Sequence, residues 1–219
     1  MDPVPERPAP TVADPLSFHP VPAVVIGLMG GVAAGKSAVA TLFAAHGLCH
    51  IDADRHAREV LQRPAVQAAL ALAFGPAILG NDGRPDRQRL AALVFTDPEA
   101  RRQLEAITHP AIRAAVDAEL AVALAAGTSV LLDVPLLLEH GLIDRCAATV
   151  YVDTSVAVRA ERARARGWSA DELRRREAAQ APLAVKMARA TYTIVNDGPL
   201  PATGQQVRGI LTRILAQRP

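Results

Sequence analysis

The residues Gly30-Gly31-Val32-Ala33-Ala34-Gly35-Lys36-Ser37 fit the spacing GxxxxGK[ST], between a short apolar run and a helical pattern. Such a loop wraps phosphate groups with backbone N–H donors, so bulky side chains cannot point inward. Gly30 and Gly35 are suited to positive φ or to close backbone approach. The helix beginning near Ser37 and Ala38 aims its unpaired N–H groups, and the positive end of its dipole, at the anion. Lys36 can reach the β- and γ-phosphates, and the Ser37 hydroxyl is placed for Mg²⁺. Lys36 is one of only two lysines, with Lys186, among 24 basic residues. This stretch predicts a nucleoside triphosphate site.

Acids at strand ends are the next candidates, because ligands of open parallel sheets sit outside the carboxyl ends of the strands. Asp52 and Asp54 close the apolar run ending in Ile51. Asp54 could accept a proton from an attacking hydroxyl, or cap the helix that follows. Asp133 ends Leu131-Leu132-Asp133, an arrangement that can hold Mg²⁺ and is equally an ordinary strand end. Asp153, before Ser155, reads as a helix cap.

Arg159, Arg162, Arg164, Arg166, Arg174, Arg175 and Arg176 form a third group. Gly167 ends one helix, and Ser169-Ala170-Asp171-Glu172 opens another as a capping box. Helix, turn and helix with clustered Arg suits a lid over phosphates, with Arg162 and Arg166 on one helix face as the phosphate ligands. The alternatives are a solvated charged face and a nucleic-acid patch, the latter lacking aromatics other than Trp168.

The elements that must position these residues follow from hydrophobic pattern. Runs at 23–28, 48–52, 130–134, 149–153 and 192–195 read as buried strands, with helical patterns between them. That alternation predicts an α/β fold, a five-stranded parallel sheet flanked by helices. The stretch 54–128 is too long for one crossover helix and reads as an inserted helical subdomain. Within it, Asp97 caps a helix with Pro98 at its first position, Pro110 starts another helix, and Asn81-Asp82-Gly83 makes a turn. The expected organisation is a Pro-rich tail at 1–22 and a kinase-type domain at 23–219. Its core would be 23–54, 128–160 and 181–219, its helical insertion about 55–127, and its lid about 161–180.

Composition narrows the classes. The chain has 219 residues, half of them hydrophobic, which suits one domain with an ordinary core. A net charge of +2 is too small to argue for nucleic acid. The uncharged, apolar-leaning stretch 68–80 is interrupted by Gly75 and Pro76 and too short to span a bilayer, and Asp2 and Glu6 predict no secretory signal. Cys49 and Cys146 are too few and too far apart for a disulfide framework, which favours a reducing, cytoplasmic setting. No guanine-type NKxD motif follows the phosphate loop, so a small-molecule kinase is favoured over a GTPase switch. Another nucleotide or small-molecule kinase, and a non-catalytic nucleotide-binding module, remain alternatives. Oligomeric state is not readable.

The ordered set of motifs resembles dephospho-CoA kinase. It comprises Gly27 to Gly31 with Gly35-Lys36-Ser37, Ile51 to Asp54, Phe74-Gly75 with Asp82-Gly83 and Asp86-Arg87, and Phe95 through Leu104-Glu105 to His109-Pro110. Asp133 to Glu139 and Ile194 to Gly198 complete it. The likeness covers roughly residues 24 to 200. It implies ATP-dependent phosphorylation of the ribose 3′-hydroxyl of dephospho-CoA, with Asp54 as base and Lys36 and Arg162 acting on the phosphates. It implies Arg87, His109, Pro135, Leu136 and Glu139 near the acceptor, and Asn196 and Gly198 near the adenine of ATP. Read without the family, His109 is as well a helix-terminus residue, and Pro135 to Leu138 are ordinary core. Three departures from the family pattern stand at Met29, at Ala33-Ala34 and at Thr191.

Overall fold

The computed structural model describes residues 23–134, 137–138 and 141–217. The Pro-rich stretch at 1–22, and Pro135, Leu136 and Glu139, lie outside the described residues. Five strands, β1 (Val25–Gly30), β2 (Cys49–Asp52), β3 (Val130–Asp133), β4 (Ala148–Asp153) and β5 (Tyr192–Val195), form one parallel sheet in the order β2-β3-β1-β4-β5. The buried strands β1, β3 and β4 are almost wholly apolar because helices cover both faces.

On one face, α1 (Lys36–Ala44) and α9 (Leu200–Ala216) bring Val39, Ala40, Phe43, Val207 and Ile210 onto Ile26, Leu28, Leu131 and Val150. On the other, α5 (Pro98–Ala125) lays Val116, Leu120 and Ala123 against Met29, Ile51, Val130 and Leu132. Gly47, at φ 86, ends the α1 segment as a left-handed residue.

Between β2 and β3 the chain is helical: α2 (Ala53–Val60), α3 (Pro64–Phe74), a 3₁₀ turn (Gly75–Ile78), α4 (Arg87–Thr96) and α5. They enclose their own core of Val60, Val66, Leu70, Ile78 and Leu90. Asp97 caps α5 by accepting from the Glu99 N–H, with Pro98 at the first turn. The turn at 81–83 forms with Gly83 at φ 73, inside a small antiparallel bridge from Leu79 to Pro85.

The expected break at Pro110 is absent: Pro110 lies inside α5. An interior proline normally costs about 3 kcal/mol. Here both halves of the helix are anchored by burial. Leu104 and Ile107 pack into the helical block, and Val116, Leu120 and Ala123 pack under the sheet, while Pro110 itself faces outward. Packing on both sides outweighs one lost backbone bond.

After β4 come α6 (Val156–Ala165) and α7 (Ala170–Ala178), joined through Gly167, then α8 (Leu183–Ala188). Ser155, not Asp153, caps α6 by accepting from the Val158 N–H. The Asp153 carbonyl instead accepts from the Asn196 N–H. Ser169 caps α7 through the Glu172 N–H, but the Glu172 carboxylate turns to Arg175 and Arg176, so only half of the capping box forms. No described helix is long and apolar enough to cross a membrane.

Phe43 is fully buried between α1, α9 and the sheet. Phe43→Ala is expected to lower unfolding free energy by about 3–5 kcal/mol, read from the shift in urea midpoint.

Candidate active site

The phosphate loop is built by the β1–α1 junction. Gly30 ends β1 in ordinary extended backbone, but a Cβ there would lie 3.1 Å from the Val152 carbonyl oxygen and 3.2 Å from Lys36 Cγ. Close approach is what glycine supplies at that position. Gly35 has φ 88, and a Cβ there would lie 2.4 Å from Asn196 Nδ2. Ala33 adopts φ 59, a left-handed conformation that disfavours a residue with a side chain. Its methyl is buried against Ala163 and Leu173.

The loop is braced from behind at one atom. The Ala34 carbonyl accepts from Thr154 Oγ1 at 2.9 Å, Asn196 Nδ2 at 2.8 Å and Arg162 Nη1 at 3.0 Å. Arg162 Nη2 also donates to the Asn196 carbonyl at 2.8 Å, and Asn196 Oδ1 accepts from Thr203 Oγ1 at 3.1 Å. The sequence expectation put Arg162 on phosphate and Asn196 beside adenine. In the structure both engage loop backbone, and Asn196 is buried. Gly198 sits in an exposed bend beyond β5.

In front of the loop lies an open cavity of about 580 Å³ lined by Gly31 through Ser37, Thr41, His50, Asp52, Asp54, Arg58, Asp133, Arg166, Trp168 and Gln180. The strand order puts β3, rather than β2, beside β1, and Asp133 pairs in register with Leu28 on one side and Asp52 on the other. Asp133 therefore stands nearest the loop, with Asp52 one strand beyond it. Three carboxylates face one basic loop residue, Lys36.

The helix cap falls to Asp52, whose Oδ1 accepts from the Asp54 N–H at 2.8 Å. That leaves the Asp54 carboxyl open to the cavity. The protein around it strips water, and Asp52 and Asp133 add negative charge, so its pKa lies above the usual Asp value, with Lys36 and Arg58 opposing. The helix α2 that carries Asp54 is pinned to α5 by Glu119 Oε2, which meets His56 Nε2 at 2.6 Å and Arg55 Nη2 at 2.5 Å. His50 Nε2 lies 3.5 Å from Asp133 Oδ2, an ion-pair separation at the outer limit of hydrogen bonding. That contact raises the imidazole pKa, against burial, with the charges of Asp133 and Asp52 adding to it.

Most of the clustered arginines are paired within their own segment. Arg159 is buried against Glu177 and the Thr154 carbonyl, Arg174 pairs with Asp171, and Arg175 and Arg176 share Glu172. Arg166 reaches the cavity. His109 lines a smaller recess with Ala53, Ile112, Arg113, Val134 and Leu142, next to the start of α2. Arg87 lines a different recess within the helical block, with Leu61, Leu70 and Leu90.

Sequence reasoning missed His50, Arg58, Thr154 and Gln180. His50 was within reach, because period-two alternation puts it on the same side of β2 as Asp52. The departures from the family pattern have local explanations. Met29 is buried under α5, and Thr191 ties the end of the α8 turn to β4 through Thr149.

The model of the dephospho-CoA kinase family matches residues 24–202. The chain belongs to that family. The dephospho-CoA kinase of Geobacillus kaustophilus strain HTA426 is 43% identical over 194 residues, covering 86% of this chain and 95% of the relative. TT1252 from Thermus thermophilus superposes with a TM-score of 0.75 at 36% identity, covering 87% of this chain and 97% of that one. The dephospho-CoA kinase from Campylobacter jejuni shares the fold, with a TM-score of 0.63 at 21% identity over 88% and 97% of the two chains.

Gly35→Ala forces a left-handed alanine and a clash with Asn196 and Arg162, whose near Nη1 lies 3.0 Å from the added Cβ. ATP affinity measured by calorimetry is expected to fall at least tenfold. The raised Asp54 pKa has a stability sign. The folded state binds this proton more tightly than the unfolded state, so ionised Asp54 destabilises the fold at pH values above its folded pKa. The penalty fades as pH falls through that pKa. Asp54→Asn is therefore expected to raise Tm at neutral pH and to lose that advantage in acid.

Proposed function

We propose that the chain transfers the γ-phosphoryl group of ATP to the ribose 3′-hydroxyl of dephospho-CoA, giving CoA and ADP. The observation that carries this reading is Asp54, uncapped and open to the cavity that also holds Lys36, in a chain of this family. The loop amides, the N-terminus of α1 and Lys36 hold the triphosphate. Asp54 accepts the 3′-hydroxyl proton as that oxygen bonds to the γ-phosphorus, and the bond from phosphorus to the ADP oxygen breaks. A carboxyl with a raised pKa is a better proton acceptor than an ordinary aspartate, provided it is ionised at the working pH.

The oxygen donors Ser37 and Asp133 suit Mg²⁺, which takes few protein ligands and several phosphate oxygens. Mg²⁺ would supply charge neutralisation on the phosphates. The recess beside Ala53 and His109 is suited to the acceptor, since it adjoins the helix that begins at Asp54. The helical block between β2 and β3 then serves as the acceptor domain and the α6–α7 hairpin as the lid. The free thiols of Cys49 and Cys146 support a reducing, cytoplasmic setting.

Asp54→Asn is expected to lower kcat by roughly 10²–10⁴-fold while ATP still binds. In wild type, kcat/KM is expected to fall on the acid side as Asp54 protonates, at a higher pH than an unperturbed aspartate would give. The deciding assay supplies ATP with dephospho-CoA, shikimate, gluconate or nucleoside monophosphates in turn. Turnover of another acceptor in preference to dephospho-CoA would overturn the assignment.

A further inference from the structure

Arg166 and Trp168 both line the phosphate cavity, in the turn between α6 and α7. Among the described residues no carboxylate pairs with Arg166, whereas Arg159, Arg174, Arg175 and Arg176 each have one. What meets the Arg166 guanidinium is the indole, with Cζ 5.5 Å from the ring centroid. The indole is itself fixed. The Trp168 backbone N–H donates to the Ala163 carbonyl at 3.0 Å, and its side chain packs against the cluster of Ala33, Ala163 and Leu173. Arg176 lies over the same ring at 4.3 Å, and Glu172 holds Arg176 at 2.7 Å.

A run of contacts, Glu172 to Arg176 to Trp168 to Arg166, thus ends in a guanidinium with no carboxylate partner among the described residues, in the cavity that also holds Lys36. An arginine held only by water loses side-chain entropy when a ligand orders it. A π face at cation-binding distance restrains the guanidinium without consuming its N–H donors. We propose that Trp168 is a positioning residue for nucleotide binding, its ring holding Arg166 ready for the phosphates of ATP. This rests on the reading of the cavity as an ATP site.

The test separates the π face from mere bulk. Trp168→Phe keeps an aromatic face, whereas Trp168→Leu keeps apolar packing on Ala33 and Leu173 without one. ATP dissociation constants are measured by calorimetry for wild type, both variants, Arg166→Ala and the Trp168→Leu/Arg166→Ala pair. Trp168→Leu and Arg166→Ala are each expected to weaken ATP by about three- to tenfold. Trp168→Phe should stay within about twofold of wild type, and the double variant should be no worse than Arg166→Ala. Equal affinities for the Phe and Leu variants, or additive losses in the double variant, would overturn the proposal.

A second readout needs no change at 168. Trp168 is the sole tryptophan, so ATP should alter the emission of wild type, and less so that of Arg166→Ala. Identical changes in the two proteins would count against it. Because these readouts use ATP alone, failure to phosphorylate dephospho-CoA would sink the proposed reaction and leave this inference to its own result. Wild type that does not bind ATP would sink both.

Discussion

The Ala34 carbonyl oxygen is the atom on which the nucleotide site depends. An sp² oxygen offers two lone pairs, and here three donors from β4's end, α6 and β5's end converge on it. The convergence pulls that carbonyl backward, away from the cavity. Loop N–H groups are then free to face an anion, which a carbonyl pointing forward would repel. It also links the loop to three separate elements, so the shape of the cradle is set by the whole carboxyl edge of the sheet. The left-handed Ala33 next door is held in place by Ala163 of α6 and Leu173 of α7, which enclose it.

Electrostatics at the site are divided between neighbouring strands. Parallel register puts Asp133 beside both Leu28 and Asp52. With Asp54 just beyond, burial raises its proton affinity and the charges of Asp52 and Asp133 add to the rise, while Lys36 and Arg58 limit it. Bringing like charges together is costly in an empty site, and suits the proposed reaction, in which a cation and a hydroxyl proton arrive there. Capping falls to the neighbour: Asp52 satisfies the start of α2, so the Asp54 carboxyl is not tied up as the cap.

What the sequence disclosed was local. Loop spacing, the Asp97-Pro98 start of α5 and the five apolar runs are set by short-range sterics and hydrogen bonding, and they were legible. Strand order was not, since nothing in the residues of β2 says that β3 will lie between it and β1. Arg174 with Asp171 and Arg175 with Glu172 are three-residue helical pairs and were open to reading. Arg159 with Glu177 spans two helices and was not. The sequence put Arg162 on phosphate and Asn196 beside adenine; that both bond to the Ala34 carbonyl depends on tertiary packing. Pro110 misled because a local breaker was overruled by burial at both ends of one helix.

That helix has a mechanical meaning. α5 is one rod of 28 residues, rooted beneath the sheet at one end and in the helical block at the other, with His109 close to its midpoint. The missing rung at Pro110 is its softest point, so bending there would tilt the helical block against the sheet, while the recess lined by Ala53, Val116 and Val134 stays with Asp54.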